Sequence, residues 1–91
     1  MFPADAVKTT KGATKTYASS TDGRRYFCAD CGTGLFYTNA AILPGITDVQ
    51  SATFDDPNAL PARAHIQTAE RIGWMAEAHD LPMFERYPPQ N

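Results

Sequence analysis

The apolar positions of this chain recur in short, roughly alternating runs separated by dense turn chemistry, a pattern that predicts strands rather than long helices. Phe2 to Val7 reads as a short strand at a sheet edge, because Pro3 has no amide hydrogen to give to a central ladder. The segment 13–18 is β-favouring, and Ser19-Ser20-Thr21-Asp22-Gly23 supplies the turn that folds it into a hairpin. Arg24 to Phe27 and Thr33 to Thr38 are aromatic and β-branched, which predicts two antiparallel strands joined by a turn over Cys28 to Gly32. Leu43-Pro44-Gly45 is expected to break the chain before a strand over Ile46 to Phe54, and Asp55-Asp56-Pro57-Asn58 is a turn.

The last third carries weaker signals. Ala64 to Thr68 predicts one more short strand. Thr68 as N-cap with Ile72, Met75 and Ala76 at near-helical spacing predicts a helix over Ala69 to His79, weakened by Gly73. The tail from Leu81 to Pro89 sets apolar anchors between prolines, as an extended strap packed on the rest would.

Bulk properties narrow the function classes. A chain of 91 residues can form one small domain, but one of such size buries only about 60 % of its unfolded surface, so a metal, a partner or a second copy would add needed stability. A formal charge of −2 offers no basic field to a nucleic-acid backbone, so nucleic acid is set aside as a partner. No run approaches about 18 consecutive apolar residues, and the first residues lack the basic and apolar regions of a signal peptide. No membrane association and a cytoplasmic location are therefore expected.

The chain's two cysteines, Cys28 and Cys31, lie in Arg24-Arg25-Tyr26-Phe27-Cys28-Ala29-Asp30-Cys31-Gly32 at the tip of a predicted hairpin. Two thiolates separated by two residues bite one metal ion with little strain, and zinc takes four such ligands in a tetrahedron. Gly32 stands where a zinc knuckle needs a positive φ, and Tyr26, Phe27, Phe36 and Tyr37 would shield the metal and form a small core beneath it. A redox pair is disfavoured, since no helix start follows the cysteines and Asp30 would raise their pKa values. A reduced pair with no metal is the remaining reading.

Other residues carry less. His65 and His79 could complete a metal shell, but neither lies at finger-like spacing and a hydrogen-bonded structural role is the better reading. Asp55 and Asp56 are explained by their turn. Arg24 and Arg25 have the guanidinium forks that grip small carboxylates, although solvated strand ends are the better reading. Trp74 is read as a packing residue.

Taken in order, Thr10-Lys11-Gly12, Tyr17-Ala18-Ser19-Ser20, Arg25-Tyr26-Phe27-Cys28-Ala29-Asp30-Cys31-Gly32-Thr33-Gly34-Leu35, Pro61 with His65-Ile66, Arg71 with Trp74, and Asp80-Leu81-Pro82-Met83-Phe84 resemble the C-terminal part of the glutathione-dependent formaldehyde-activating enzymes, the family that includes the centromere protein V proteins. The resemblance implies a mainly β, Mss4-like fold of twisted antiparallel sheets. It implies a structural zinc with Cys28 and Cys31 as two of four thiolates. It also implies zinc-dependent carbon–sulfur lyase chemistry that joins formaldehyde to a glutathione-like thiol substrate. The family's further structural pair, a Cys-x-Cys, and its catalytic Cys-x-Cys-x-x-Cys have no counterpart among these residues. The chain is accordingly expected to be a single domain over residues 1–91 that is incomplete at its N-terminus and inactive alone. The alternative is a non-catalytic zinc-stabilised binding module, with a homodimer completing either the sheet or the zinc site.

Overall fold

The computed structural model describes residues 1–89, which fall into two compact units, Met1–Pro61 and a second that begins at Ala62. The first unit is a five-stranded antiparallel sheet, so the mainly β expectation holds. Its strands are β1 (Phe2–Pro3), β2 (Thr14–Ala18), β3 (Gly23–Cys28), β4 (Gly34–Asn39) and β5 (Leu43–Val49). Their order across the sheet is β1-β5-β4-β3-β2, so β2 to β5 form a meander and β1 adds to the far edge.

The β2–β3 hairpin arises as the turn chemistry predicts. Ser20 Oγ accepts the Gly23 amide at 2.9 Å, and Arg24 Nη1 donates to the carbonyls of Ser20, Thr21 and Gly23 at 3.1, 3.1 and 2.8 Å, lashing the β2–β3 turn. Gly23 is buried there, and a Cβ at that position would lie 2.7 Å from Ser20 Oγ and 2.9 Å from the Tyr37 hydroxyl. At the β4–β5 turn Asn39 Oδ1 accepts the amides of Ala41 and Ile42 at 3.0 and 3.2 Å, while Asn39 Nδ2 donates to the Tyr37 hydroxyl at 3.0 Å. These bonds satisfy a side chain left only 8 % exposed.

The register sorts the side chains into two faces. Thr16 opposes Tyr26, Tyr26 opposes Phe36, and Phe36 opposes Val49 across four strands of one face. Tyr26 and Phe36 stack there with centroids 4.6 Å apart. The other face carries Tyr17, Arg25, Tyr37 and Asp48 in one cross-strand row, with the Arg25 guanidinium 5.3 Å from the Tyr37 ring centroid. Phe2 meets Phe54 edge-on at 6.2 Å. Among the described residues no apolar side chain is fully buried, and Thr47 and Asn39 are the buried polar ones. The aromatic residues around the knuckle are half-buried pairs rather than a closed core.

Several expected elements differ. The first strand stops after Pro3 and gives way to a 3-10 turn over Ala4–Ala6. Leu43-Pro44-Gly45 does not break the chain but opens β5, because the β4–β5 register slips between Tyr37 and Asn39 and demands no regular ladder bond from Pro44. The strand expected over Ile46 to Phe54 ends at Val49 and is followed by a 3-10 turn over Ser51–Thr53.

In the second unit, Ala64 to Thr68 forms no strand. The helix expected over Ala69 to His79 is instead 3-10 structure over Gly73–Asp80, kinked at Glu77, with Ile72 rather than Thr68 at its start and no side-chain cap. Gly73 and the lack of a buried face explain why no α-helix propagates. Within the tail Met83 and Tyr87 are 88 % and 93 % exposed, so the anchors of the expected strap are not packed down. No helix among the described residues is long and apolar enough to cross a membrane.

Candidate metal centre

The knuckle is built by the closing bonds of the β3–β4 hairpin. Cys28 ends β3, and its amide donates to the Thr33 carbonyl at 2.8 Å. The Gly32 amide turns back to the Cys28 carbonyl at 2.9 Å, and the Ala29 amide donates to the Ala13 carbonyl at 3.2 Å, tying the loop to the approach of β2. Gly32 has φ +79°, the left-handed conformation expected of it, with no atom within 4 Å of where a Cβ would stand.

Both cysteines are free thiols, Cys28 half-buried and Cys31 exposed. Cys31 Sγ lies 3.1 Å from Thr33 Oγ1. The Thr33 hydroxyl bonded to the sulfur, helped by the Thr33 backbone and the nearby Cys28 thiol, holds the Cys31 pKa below the ordinary thiol value. The expectation that Asp30 would raise it is not met, because Asp30 is exposed and contributes nothing against these bonds. Cys28 and Cys31 lie at the end of β3 and within the tight turn that the Gly32 amide closes onto Cys28. A strand follows the pair, so neither cysteine gains a helix N-terminus of the kind that activates redox thiols.

A cavity of about 520 Å³ lies beside Cys28, with Lys8, Lys11, Thr14, Asp30 and Phe36 in its walls. A second hollow of about 310 Å³ lies over Tyr17, Arg25, Phe27, Leu35 and Tyr37.

His65 and His79 both belong to the second unit, where His79 Nε2 lies 3.2 Å from Asp80 Oδ1. Asp56 caps its own turn, its Oδ1 accepting the Asn58 amide at 3.1 Å, and Asp55 lies in the same exposed segment. Arg24 is spent on turn carbonyls and Arg25 on Tyr37. Trp74 is exposed in the 3-10 segment. Thr33 was missed by sequence reasoning, although a hydroxyl two residues past a cysteine can bond its sulfur. Among the described residues no group of three His, Cys, Asp or Glu side chains could hold a metal. Cys28 and Cys31 thus fit two corners of a thiolate tetrahedron, and the other two corners find no donors there.

Comparison with curated proteins and with solved structures gave no match. A family model described as glutathione-dependent formaldehyde-activating enzyme matches residues 1–70, which include the whole sheet and the knuckle. The chain therefore belongs to the glutathione-dependent formaldehyde-activating enzyme family.

Proposed function

We propose that this chain is a zinc-binding β domain of that family in which Cys28 and Cys31 supply two thiolates of a structural zinc, and that residues 1–91 do not themselves carry out the lyase reaction. One observation supports the zinc reading above all: two cysteines two residues apart on a turn closed by the Gly32 amide bond to Cys28, with Gly32 left-handed. Zinc bound there would contribute folding free energy to a sheet that buries no apolar side chain completely among the described residues. The family's chemistry, formation of S-(hydroxymethyl)glutathione, calls for a zinc with an open position. Both cysteines of this chain are committed to the proposed closed knuckle, so no thiolate is left for a second metal.

Cobalt titration of the reduced, chelator-treated chain tests this. A thiolate-to-cobalt charge-transfer band is expected, saturating near one metal per two chains when a second copy supplies the missing pair of sulfurs. Cys28→Ser and Cys31→Ser each abolish it. Absence of the band in protein folded by circular dichroism, or its survival in both variants, overturns the zinc reading. Acceleration of hydroxymethylglutathione formation by the zinc-loaded chain overturns the statement about the lyase reaction.

A further inference from the structure

We propose that the open edge of β2 is a homodimer interface at which two copies pair antiparallel about a two-fold axis through Thr16. This goes beyond the zinc reading and does not depend on it.

The sheet has two edges. One is β1, two residues long and ending in Pro3, which offers little ladder to a partner. The other is β2, five residues long. In its pairing with β3, Ala13 accepts the Ala29 amide, and the register continues Thr14 opposite Cys28 through Ala18 opposite Arg24. Antiparallel pairs alternate between bonded and non-bonded, so Ala13, Lys15 and Tyr17 face β3 while Thr14, Thr16 and Ala18 aim their amides and carbonyls outward. The Cys28 amide agrees, since it bonds Thr33 on the β4 side and not Thr14. No turn or loop backbone bond among the described residues engages Thr14, Thr16 or Ala18, and Thr16 and Ala18 are exposed.

This edge is its own complement in one register. With Thr16 opposite the partner's Thr16, Thr14 opposes the partner's Ala18 and Ala18 the partner's Thr14, giving three bonded pairs that exchange two hydrogen bonds each. Lys15 then stands opposite the partner's Tyr17 in a non-bonded pair, where side chains approach most closely, and Tyr17 is 64 % exposed and free to receive the ammonium on its ring face. Slipping toward the N-terminal end sets Lys15 against the partner's Lys15, a like-charge clash, and keeps two bonded pairs. Slipping the other way also keeps two and gives up both lysine–tyrosine pairs. An edge lysine usually blocks strand addition; here its off-centre position blocks the wrong registers and serves the right one.

Such a dimer cannot share a zinc between its knuckles. Three strand spacings and four residues of offset put the two Cys28 positions about 20 Å apart. Failure of the zinc reading and failure of this one are therefore separable in experiment.

The test is sedimentation of the full chain carrying Cys28→Ser and Cys31→Ser, in chelator, at micromolar concentration. A dimer is expected. Thr16→Pro removes one outward amide and no β2–β3 bond, so it should weaken association about tenfold or more while the circular dichroism spectrum stays unchanged. In the same cysteine-free background, Thr16→Cys should crosslink two copies under mild oxidation, its sulfurs meeting across the axis. Ala18→Cys, equally exposed but about 14 Å from its copy, should not. A cysteine-free chain that is folded by circular dichroism yet monomeric, unchanged association of a folded Thr16→Pro variant, or crosslinking of Ala18→Cys as fast as Thr16→Cys overturns the proposal.

Discussion

Replacing Gly32 by alanine isolates the backbone term that shapes the knuckle. Nothing lies within 4 Å of the added methyl, so no steric contact enters the comparison, and the loss comes from φ +79° alone. An L-residue held in the left-handed region costs about 1–2 kcal/mol. Gly34, two residues on, is equally open but outside that region, and Gly34→Ala is its matched control. Both substitutions restrict the unfolded chain by a similar amount, about 0.4–1 kcal/mol in favour of folding. That contribution cancels in the difference, which leaves the left-handed cost of about 1–2 kcal/mol, near tenfold in the folding constant. Urea unfolding followed by far-UV circular dichroism, without metal, measures it. Gly32→Ala should have the lower midpoint, with Gly32→Asn between the two because asparagine tolerates that conformation better. Equal midpoints for Gly32→Ala and Gly34→Ala would refute the assignment of a left-handed knuckle.

Three further outcomes follow from the same geometry. Asn39→Ala strands the amides of Ala41 and Ile42 and should lower stability by about 1–3 kcal/mol, whereas Asn39→Asp, which keeps the accepting oxygen, should recover part of it; thermal melts decide, and no shift for Asn39→Ala would discredit the turn. Gly23→Ala pushes a methyl to 2.7 Å from Ser20 Oγ and should cost about 1–3 kcal/mol, visible as a melting temperature below that of Gly34→Ala. Alkylation of Cys31 by iodoacetamide, resolved by mass spectrometry, should begin at lower pH in the folded chain than in urea, because a lowered pKa enlarges the thiolate fraction at neutral pH. Thr33→Val should move that profile toward the unfolded one; an unchanged profile would remove Thr33 as its cause.

The hairpins were legible because their signals are local. Ser19 to Gly23 and Gly32 demand particular turn geometries, and the aromatic runs beside them have neighbours in sequence to pair with. β5 was misplaced because its first residues, Pro44 and Gly45, sit in a register slip, where the rule that excludes proline from ladders does not apply. Ala64 to Thr68 has strand composition but gains no partner strand, and composition without pairing yields no ladder. The spacing of Ile72, Met75 and Ala76 suggested an apolar face, yet Ile72 and Met75 remain exposed, so nothing rewards a full helix. The pair on which the proposed zinc site rests, Cys28 and Cys31, was readable from its spacing. Two further ligands of such a site find no donors among the described residues, and neighbouring residues do not encode them.

The position of the knuckle also bears on the order of folding events. In a meander each strand closes onto its neighbour in sequence, so contact order is low and assembly can begin at a single hairpin. β3 and β4 are the central pair, and both cysteines lie in or beside the five-residue loop that joins them. Occupying that loop with a metal would secure the contact on which β2 and β5 later condense. A ligand acting at such a nucleus raises the folding rate rather than only slowing unfolding. For this sheet zinc would then be a kinetic template, binding while the chain is still collapsing.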